Sequence, residues 1–564
     1  MVVILISWIY IAWCCVNLGV ALGKILQLKA TDFVLVSIVG LFTATLLGSC
    51  WAFFGGIGLY FHYSFLLLNG LLFGSFYKSI KNVYLQLAIE FKQLSITLKI
   101  LFWAITFLIL AQCASFPFII DNESYYVQTI KWLNEYGFVK GLSNLHLFLG
   151  QTSGWHITQS IFNFSFLYDQ FNDLNGLLLV LFHFFCLRKL HLYFKHRQLL
   201  DLVFGLLPLA NVFFFQFVSS PSPDLAVYLL SFLLFSFWID NHKSMTAEVF
   251  KVLVIFSLFL VFIKVTSVVV LILPFILVIT HFSTVKPALL ATSILSMLVL
   301  GLFVTKNTLL TGYPLFPLTI LCFPLDYALP KEVMTYFFSS SMQHKFYIEQ
   351  GLFDISIVDK VKYYFLNNGM DGIMVFLTIL TVLISPIVIY KKFHKIAIWV
   401  LYGVFLVVLI LLLVNAPQYR FYIHYTLFFL ILTLSPLLVT KKSLYVFLFG
   451  SVAATAIVVF IPLSYTKLTT NAFISANSVF KSSNFVVPQP NSKWNQKFLV
   501  HANGNLLYYS PQKPPFFWLT GNGALPCVNK EQLDYFETNF HYVPQLRTEN
   551  LKDGFYPKKI KLHE

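Results

Sequence analysis

Asp121-Asn122-Glu123-Ser124-Tyr125-Tyr126 follows directly on an apolar run over residues 99–120. Carboxylates at the mouth of an apolar span are costly unless they face water or a partner. The acidic cluster opens a segment of roughly fifty mixed-polarity residues, long enough to build a site on one membrane face. Such a site suits a substrate that is half lipid and half polar. A positioned, partly buried carboxylate can take the proton of an attacking hydroxyl or amine, which makes Asp121 the candidate base. The plainer alternative is a helix N-cap for 124–132. Glu123 is a candidate second acid, sharing an acceptor or metal contact, or else a solvated acid in a first helical turn.

A leaving group that departs as phosphate needs cations around it. Arg420, in Gln418-Tyr419-Arg420-Phe421 just ahead of an apolar run, offers a planar fork that matches phosphate oxygens. Lys264 interrupts the apolar stretch 252–282 and is its alternative or its partner, with Lys306 a third. Interfacial anchoring and snorkelling are the plain readings of these cations. Tyr125, Asn144, His146 and His156 are candidates for holding sugar, acceptor or phosphate, and equally for tying down the loop that carries them. Asp224 closes Ser219-Ser220-Pro221-Ser222-Pro223-Asp224, where turn chemistry alone accounts for it. No Cys/His cluster has zinc spacing, so no metal ligands are assigned; no cofactor is required, and a divalent metal is an option only. Cys322 and Cys527 fall in segments expected on the same side, which leaves a disulfide between them open. Trp494, Tyr508, Tyr509, Phe516, Phe517 and Trp518 suit either sugar stacking or an interfacial aromatic belt.

Membrane helices must position these residues. Hydrophobic residues are 58% of the 564, charged residues 11%, and mean hydropathy is +0.78, which excludes a soluble domain. Apolar runs of about twenty residues recur from end to end, each long enough for a bilayer core of roughly 30 Å. Residues 1–22 lack a basic leader and read as a span, not a signal peptide. Short basic loops, among them those with Lys78 and Lys81, Arg188 and Lys189, and Lys391 and Lys392, mark the cytoplasmic side. The net charge of +15 therefore reflects loop anchors, not nucleic-acid binding. The expectation is an all-α polytopic integral membrane protein with about fourteen spans and both termini outside. It divides into an N-terminal three-helix segment with a cytoplasmic linker (1–98), a transmembrane core (99–462) and a small external C-terminal tail (463–564). The long external loops are 121–173 and 306–371. Residues 125–136 and 155–166 read as amphipathic helices lying on the membrane surface. Within 252–282, two short spans turn at 264–266, the first only about a dozen residues long.

The loop order, counted from the span ahead of Asp121, is long, short (219–224), short (Lys264) and long (306–371). It resembles the core of GT-C-fold glycosyltransferases, the superfamily of aminoarabinose transferases and protein O-mannosyltransferases. That likeness implies sugar transfer from a polyprenyl-phosphate donor, with Asp121 in the place of the acidic motif of the first loop and Glu123 as its second acid. The chain resembles more closely an uncharacterised family of bacterial polytopic membrane proteins. The shared pattern is Asp121 and Tyr125, then Trp132, Tyr136, Gly137, Val139, Gly141, Leu142, Asn144, Leu145 and His146, then Gly150 and Ser153. Weaker matches lie at 312–317, at Ala416-Pro417 with Arg420-Phe421, and at Asp553-Gly554-Phe555. This likeness covers most of the chain from about Lys99, and Glu123 departs from it, a neutral residue being usual there.

Together these readings give an inverting glycosyltransferase of a bacterial cytoplasmic (inner) membrane, with its site facing the periplasm or exterior. Asp121 acts as base, and Arg420 with Lys264 holds the phosphate of a polyprenyl-phosphate-linked sugar. The acceptor is an envelope glycan, lipid or protein, and the bilayer is the other partner. Two rivals stand beside it. An envelope polysaccharide polymerase or ligase would rely on external Arg and His instead of a first-loop carboxylate. A non-enzymatic transporter of lipid-linked sugars would favour inverted repeats and ionisable groups at the midplane.

Overall fold

The computed structural model describes residues 1–29, 31–164, 166, 171–342, 356–365, 369–415, 418–469 and 472–560. Ala416-Pro417, together with 343–355 and 366–368 of the long loop 306–371, lie outside the described residues. The chain is a helical bundle. Among the described residues, eleven helices are long and apolar enough to cross a membrane, and Val265–Thr280 and Ile423–Leu437 are shorter apolar helices. At one end, helices start on side-chain caps: Asp32, Ser95, Thr246 and Thr440 each accept a backbone N–H of the first turn. Such caps satisfy donors that a helix cannot satisfy internally. This is the basic end, and part of its charge is paired. Arg188 meets Asp32 at 2.5 Å and Glu90 at 2.9 Å, while Lys189 meets Asp240 at 2.7 Å and Asp201 at 3.2 Å.

The first helices are built into the bundle. Val2–Ile25 and Phe33–Ala52 pack through Gly19 and Gly40, where a Cβ would lie 2.0 Å from Val36 O and 1.8 Å from Cys15 O. Between apolar helices in lipid, close backbone approach of this kind supplies the dispersion contact that drives association. Ser7 Oγ donates to Asp173 Oδ2 at 2.6 Å, and Trp8 Nε1 to the Asp173 carbonyl at 2.9 Å, so the first helix grips the start of Leu174–His196.

The break at Lys264 is real, but the helix before it is not short. Ala247–Ile263 has 17 residues because the Thr246 cap starts it ahead of Lys251, whose Nζ is absorbed by the Leu26 carbonyl. The chain then turns extended at Lys264 (φ −150°, ψ 118°) and re-enters through Val265–Leu271 and Ile272–Thr280.

The first loop also differs from expectation. Its helices, Val127–Glu135 and Gly154–Ile161, do not lie on a membrane surface. Every residue of the second is buried, packed on Phe33–Ala52, and most of the first is covered as well. The C-terminal tail supplies much of that cover. It contains two antiparallel hairpins, Phe498–Asn503 with Leu506–Pro511 and Tyr542–Leu546 with Phe555–Lys559, and the helix Lys530–Phe540. Trp132, Val139 and Leu142 of the loop share one apolar core with Leu506, Tyr508 and Phe555 of the tail. Gly554 makes the docking possible, with φ +92° and a Cβ position 2.0 Å from the Lys140 carbonyl. Loop and tail are thus one folded cap, not a loop and an appendage. Cys322 and Cys527 are both free thiols, the first exposed and the second buried, so the disulfide left open above is absent.

Candidate functional site

The helix Ile96–Cys113 ends at the loop-bearing end, and the chain winds through a wide turn, Asn122–Tyr126, with π-type spacing. A π-turn brings residues five apart into register, and here it aims the Tyr126 hydroxyl at Asp121 Oδ2, 3.4 Å away. Asp121 does not cap the helix. Its Oδ2 instead receives Arg420 Nη1 at 2.6 Å, from a residue 299 positions away. Among the described residues no hydrogen bond reaches Oδ1. Arg420 is braced in turn, its Nε donating to Gln418 Oε1 at 2.8 Å and its carbonyl accepting Tyr228 OH at 2.7 Å.

Asp224 sits in the first turn of Pro223–Asn241, behind Pro223 and the Ser222 cap. An acid is favoured there by the helix dipole. The preceding turn is held by Asn175 Nδ2, which donates to the Phe217 and Ser220 carbonyls, while Asn175 Oδ1 accepts Trp155 Nε1 at 2.7 Å. Asp224, with a side chain only 3% exposed, pairs with Lys264 Nζ and lies 4.0 Å from Arg420 Nη1. Lys264 also lies 4.3 Å over the Phe421 ring, and the bend that carries it is pinned by Ser153 Oγ on the Ile263 carbonyl at 2.6 Å. Gly154 must be a glycine, since a Cβ would come 2.8 Å from the Phe262 carbonyl.

These side chains line one cavity of about 320 Å³. Its lining combines the charged residues Asp121, Asp224, Lys264, Arg420 and Lys306 with the aromatic residues Tyr125, Phe148, Phe316, Tyr336 and Trp518, the last from the tail. A lining of charged and aromatic side chains suits a ligand that joins an anionic group to a ring.

Seven of the ten sequence-derived candidates therefore meet: Asp121, Tyr125, His156, Asp224, Lys264, Lys306 and Arg420. Three do not, and each has a structural task. Glu123 points away from the cavity and holds the tail. Its carboxylate accepts Ser492 Oγ and the Lys493 N–H, and its carbonyl accepts the N–H groups of Thr520 and Gly521. Asn144 donates to the Gly141 and Tyr327 carbonyls at 3.1 and 2.8 Å. His146 accepts the Phe148 N–H and packs against Trp518, and burial lowers its imidazole to about 4, so it stays neutral. Tyr126 and Gln418 join the site as well. The first was legible only if the π-turn were known, and the second carries no signal beyond its nearness to Arg420.

Glu123 yields a prediction. Burial outweighs its hydrogen bonds and lifts its carboxyl above the ordinary value. A raised folded-state value means that the folded form holds the proton more tightly than the unfolded chain, so stability rises as pH falls through that value. Docking of the tail should strengthen as pH falls from neutral toward the ordinary carboxylate range, and Glu123→Gln should remove this dependence. Limited proteolysis of the tail reads both; faster cleavage of the native chain in acid would contradict the assignment.

Fold and site together define a polytopic α-helical membrane protein with a charged, half-enclosed cavity at one end of its bundle. The chain belongs to the DUF8201 family, described as a domain of unknown function, whose model matches residues 1–430. No curated protein and no solved structure matches it. The matched region starts with the first helix and includes every charged residue of the cavity, whereas Trp518 lies beyond it.

Proposed function

We propose that this chain is a membrane glycosyltransferase that moves a sugar from a polyprenyl-phosphate-linked donor to a cell-envelope acceptor on the external face. The observation that carries the reading is the single cavity in which Asp121 stands among Arg420, Lys264 and Lys306. The acceptor hydroxyl attacks the anomeric carbon from the side opposite the phosphate. The carbon–oxygen bond to phosphate breaks with its electron pair leaving on the phosphate, the configuration inverts, and the acceptor proton passes to Asp121, whose Oδ1 is unengaged among the described residues. General-base help of this kind contributes about 10²- to 10⁴-fold. Aromatic residues in the lining, among them Tyr125, Phe148 and Trp518, offer ring faces on which a sugar can pack. The bundle is read as lying in a bacterial cytoplasmic membrane, its cavity end outward and its basic end inward, as the distribution of Lys and Arg favours.

The test is mass spectrometry of lipid-linked intermediates and envelope glycans in cells with and without the protein. Loss of the protein should cause one polyprenyl-phosphate sugar to accumulate and one glycan modification to disappear. Unchanged glycans, with a lipid-linked sugar merely stranded on the cytoplasmic side, would speak for transport and against transfer.

A further inference from the structure

Of the three cations in the cavity, two are already neutralised, Arg420 by Asp121 and Lys264 by Asp224. Lys306 is not. It lies near the end of the helix Phe282–Thr311 and is only 4% exposed. Its Nζ donates to the Thr152 carbonyl and sits 5.5 Å from the Phe303 ring centre, and no carboxylate among the described residues lies within ion-pair distance. A buried cation without a counter-ion is destabilising, because one carbonyl dipole does not repay the lost hydration. Among the described residues, the lining holds two carboxylates and three basic side chains, so one basic group is left without a carboxylate partner.

A second observation points to the same corner. His156 is fully buried and lines the cavity. Its Nδ1 accepts the Ser153 N–H, which leaves the proton on Nε2, and among the described residues that buried N–H has no partner. Burial, with Lys306 nearby, holds the ring neutral, at about 3. Among the described residues, the cavity thus holds a lysine without a carboxylate partner and a spare donor in one neighbourhood.

We propose that Lys306 and His156 form the anion-holding corner of the cavity and receive the phosphate of the ligand, while Arg420 and Lys264 chiefly position the two carboxylates. The ligand's identity as a lipid phosphate rests on the reading above; the anion corner does not.

The experiment uses the full chain in nanodiscs, with polyprenyl monophosphate, the polyprenol of equal length and inorganic phosphate as probes. The native protein should bind the lipid phosphate about tenfold or more tighter than the polyprenol. Lys306→Met should lose that advantage and leave polyprenol binding unchanged, and Lys306→Arg should keep most of it. Unliganded Lys306→Met should melt at or above the native temperature, since it removes an unpaid charge. Native-like binding of the lipid phosphate by Lys306→Met would overturn the proposal. So would a lower melting temperature with all probes weakened alike, because Lys306 would then be a tie to Thr152 and nothing more. Equal binding of inorganic phosphate would support the corner and reject a lipid source. Binding is read without turnover, so a chain that grips the phosphate yet transfers no sugar would sink the transferase reading alone.

Discussion

Asp121→Asn should cut sugar transfer by about 10²- to 10⁴-fold without weakening donor binding. The amide is nearly isosteric and cannot take a proton from the acceptor, so the loss falls on the chemical step. Binding moves the other way, if at all. Asp121 Oδ2 holds Arg420 Nη1 at 2.6 Å, and removing its charge frees a guanidinium for any anion in the cavity. The split is the diagnostic. Cells carrying Asp121→Asn should accumulate the same lipid-linked sugar as cells lacking the protein, while the purified variant binds polyprenyl phosphate at least as tightly as the native chain. Near-normal transfer would remove Asp121 from the chemistry and favour a polymerase or ligase that works through Arg and His. Weaker binding would mean that the Asp121–Arg420 pair shapes the cavity instead.

Asp224→Asn should cost about 3–5 kcal/mol of stability, the usual consequence of breaking one side of a buried ion pair. The carboxylate is almost fully enclosed, at 3% exposure, and is the counter-charge for Lys264, with Arg420 4.0 Å away. Without it, the lysine at the break between Ile263 and Val265 retains a charge that its surroundings do not balance. The apparent melting temperature in detergent should fall clearly, and adding Lys264→Met should restore much of the loss, since the pair is then removed together. A native-like melting temperature for Asp224→Asn would show that water reaching the cavity already screens Lys264. Equal losses in the single and double variants would show that Asp224 acts through its place in the helix start.

The contrast between Asp121 and Glu123 shows how far residue type alone reaches. Both are acids at the same span end, two positions apart, and both suit a base. The π-turn sends one toward Arg420 and the other, buried, toward Ser492 and Lys493. Asn144 and His146 follow the same logic: the first-loop pattern that contains them also contains Gly137 and Gly141, which take φ of +76° and +61°. Much of that pattern is accounted for by folding the cap. Lys306 differs again: the sequence ranks it third among the candidate cations, and only the structure shows that no carboxylate of the described residues pairs with it.

By itself the sequence determined that this is a multi-pass helical membrane protein with charged residues held near the ends of its spans. Hydropathy and span length act over about twenty neighbouring residues, so they can be read along the chain. Only the tertiary structure decided which charges meet, because Asp121 and Arg420 are joined across 299 positions by the packing of helices that carry no mark of their partners. It also decided that the tail is half of the cap, through an apolar core to which loop and tail each contribute one face. Side-chain direction and long-range pairing are properties of the assembled bundle, and no local stretch of residues encodes them.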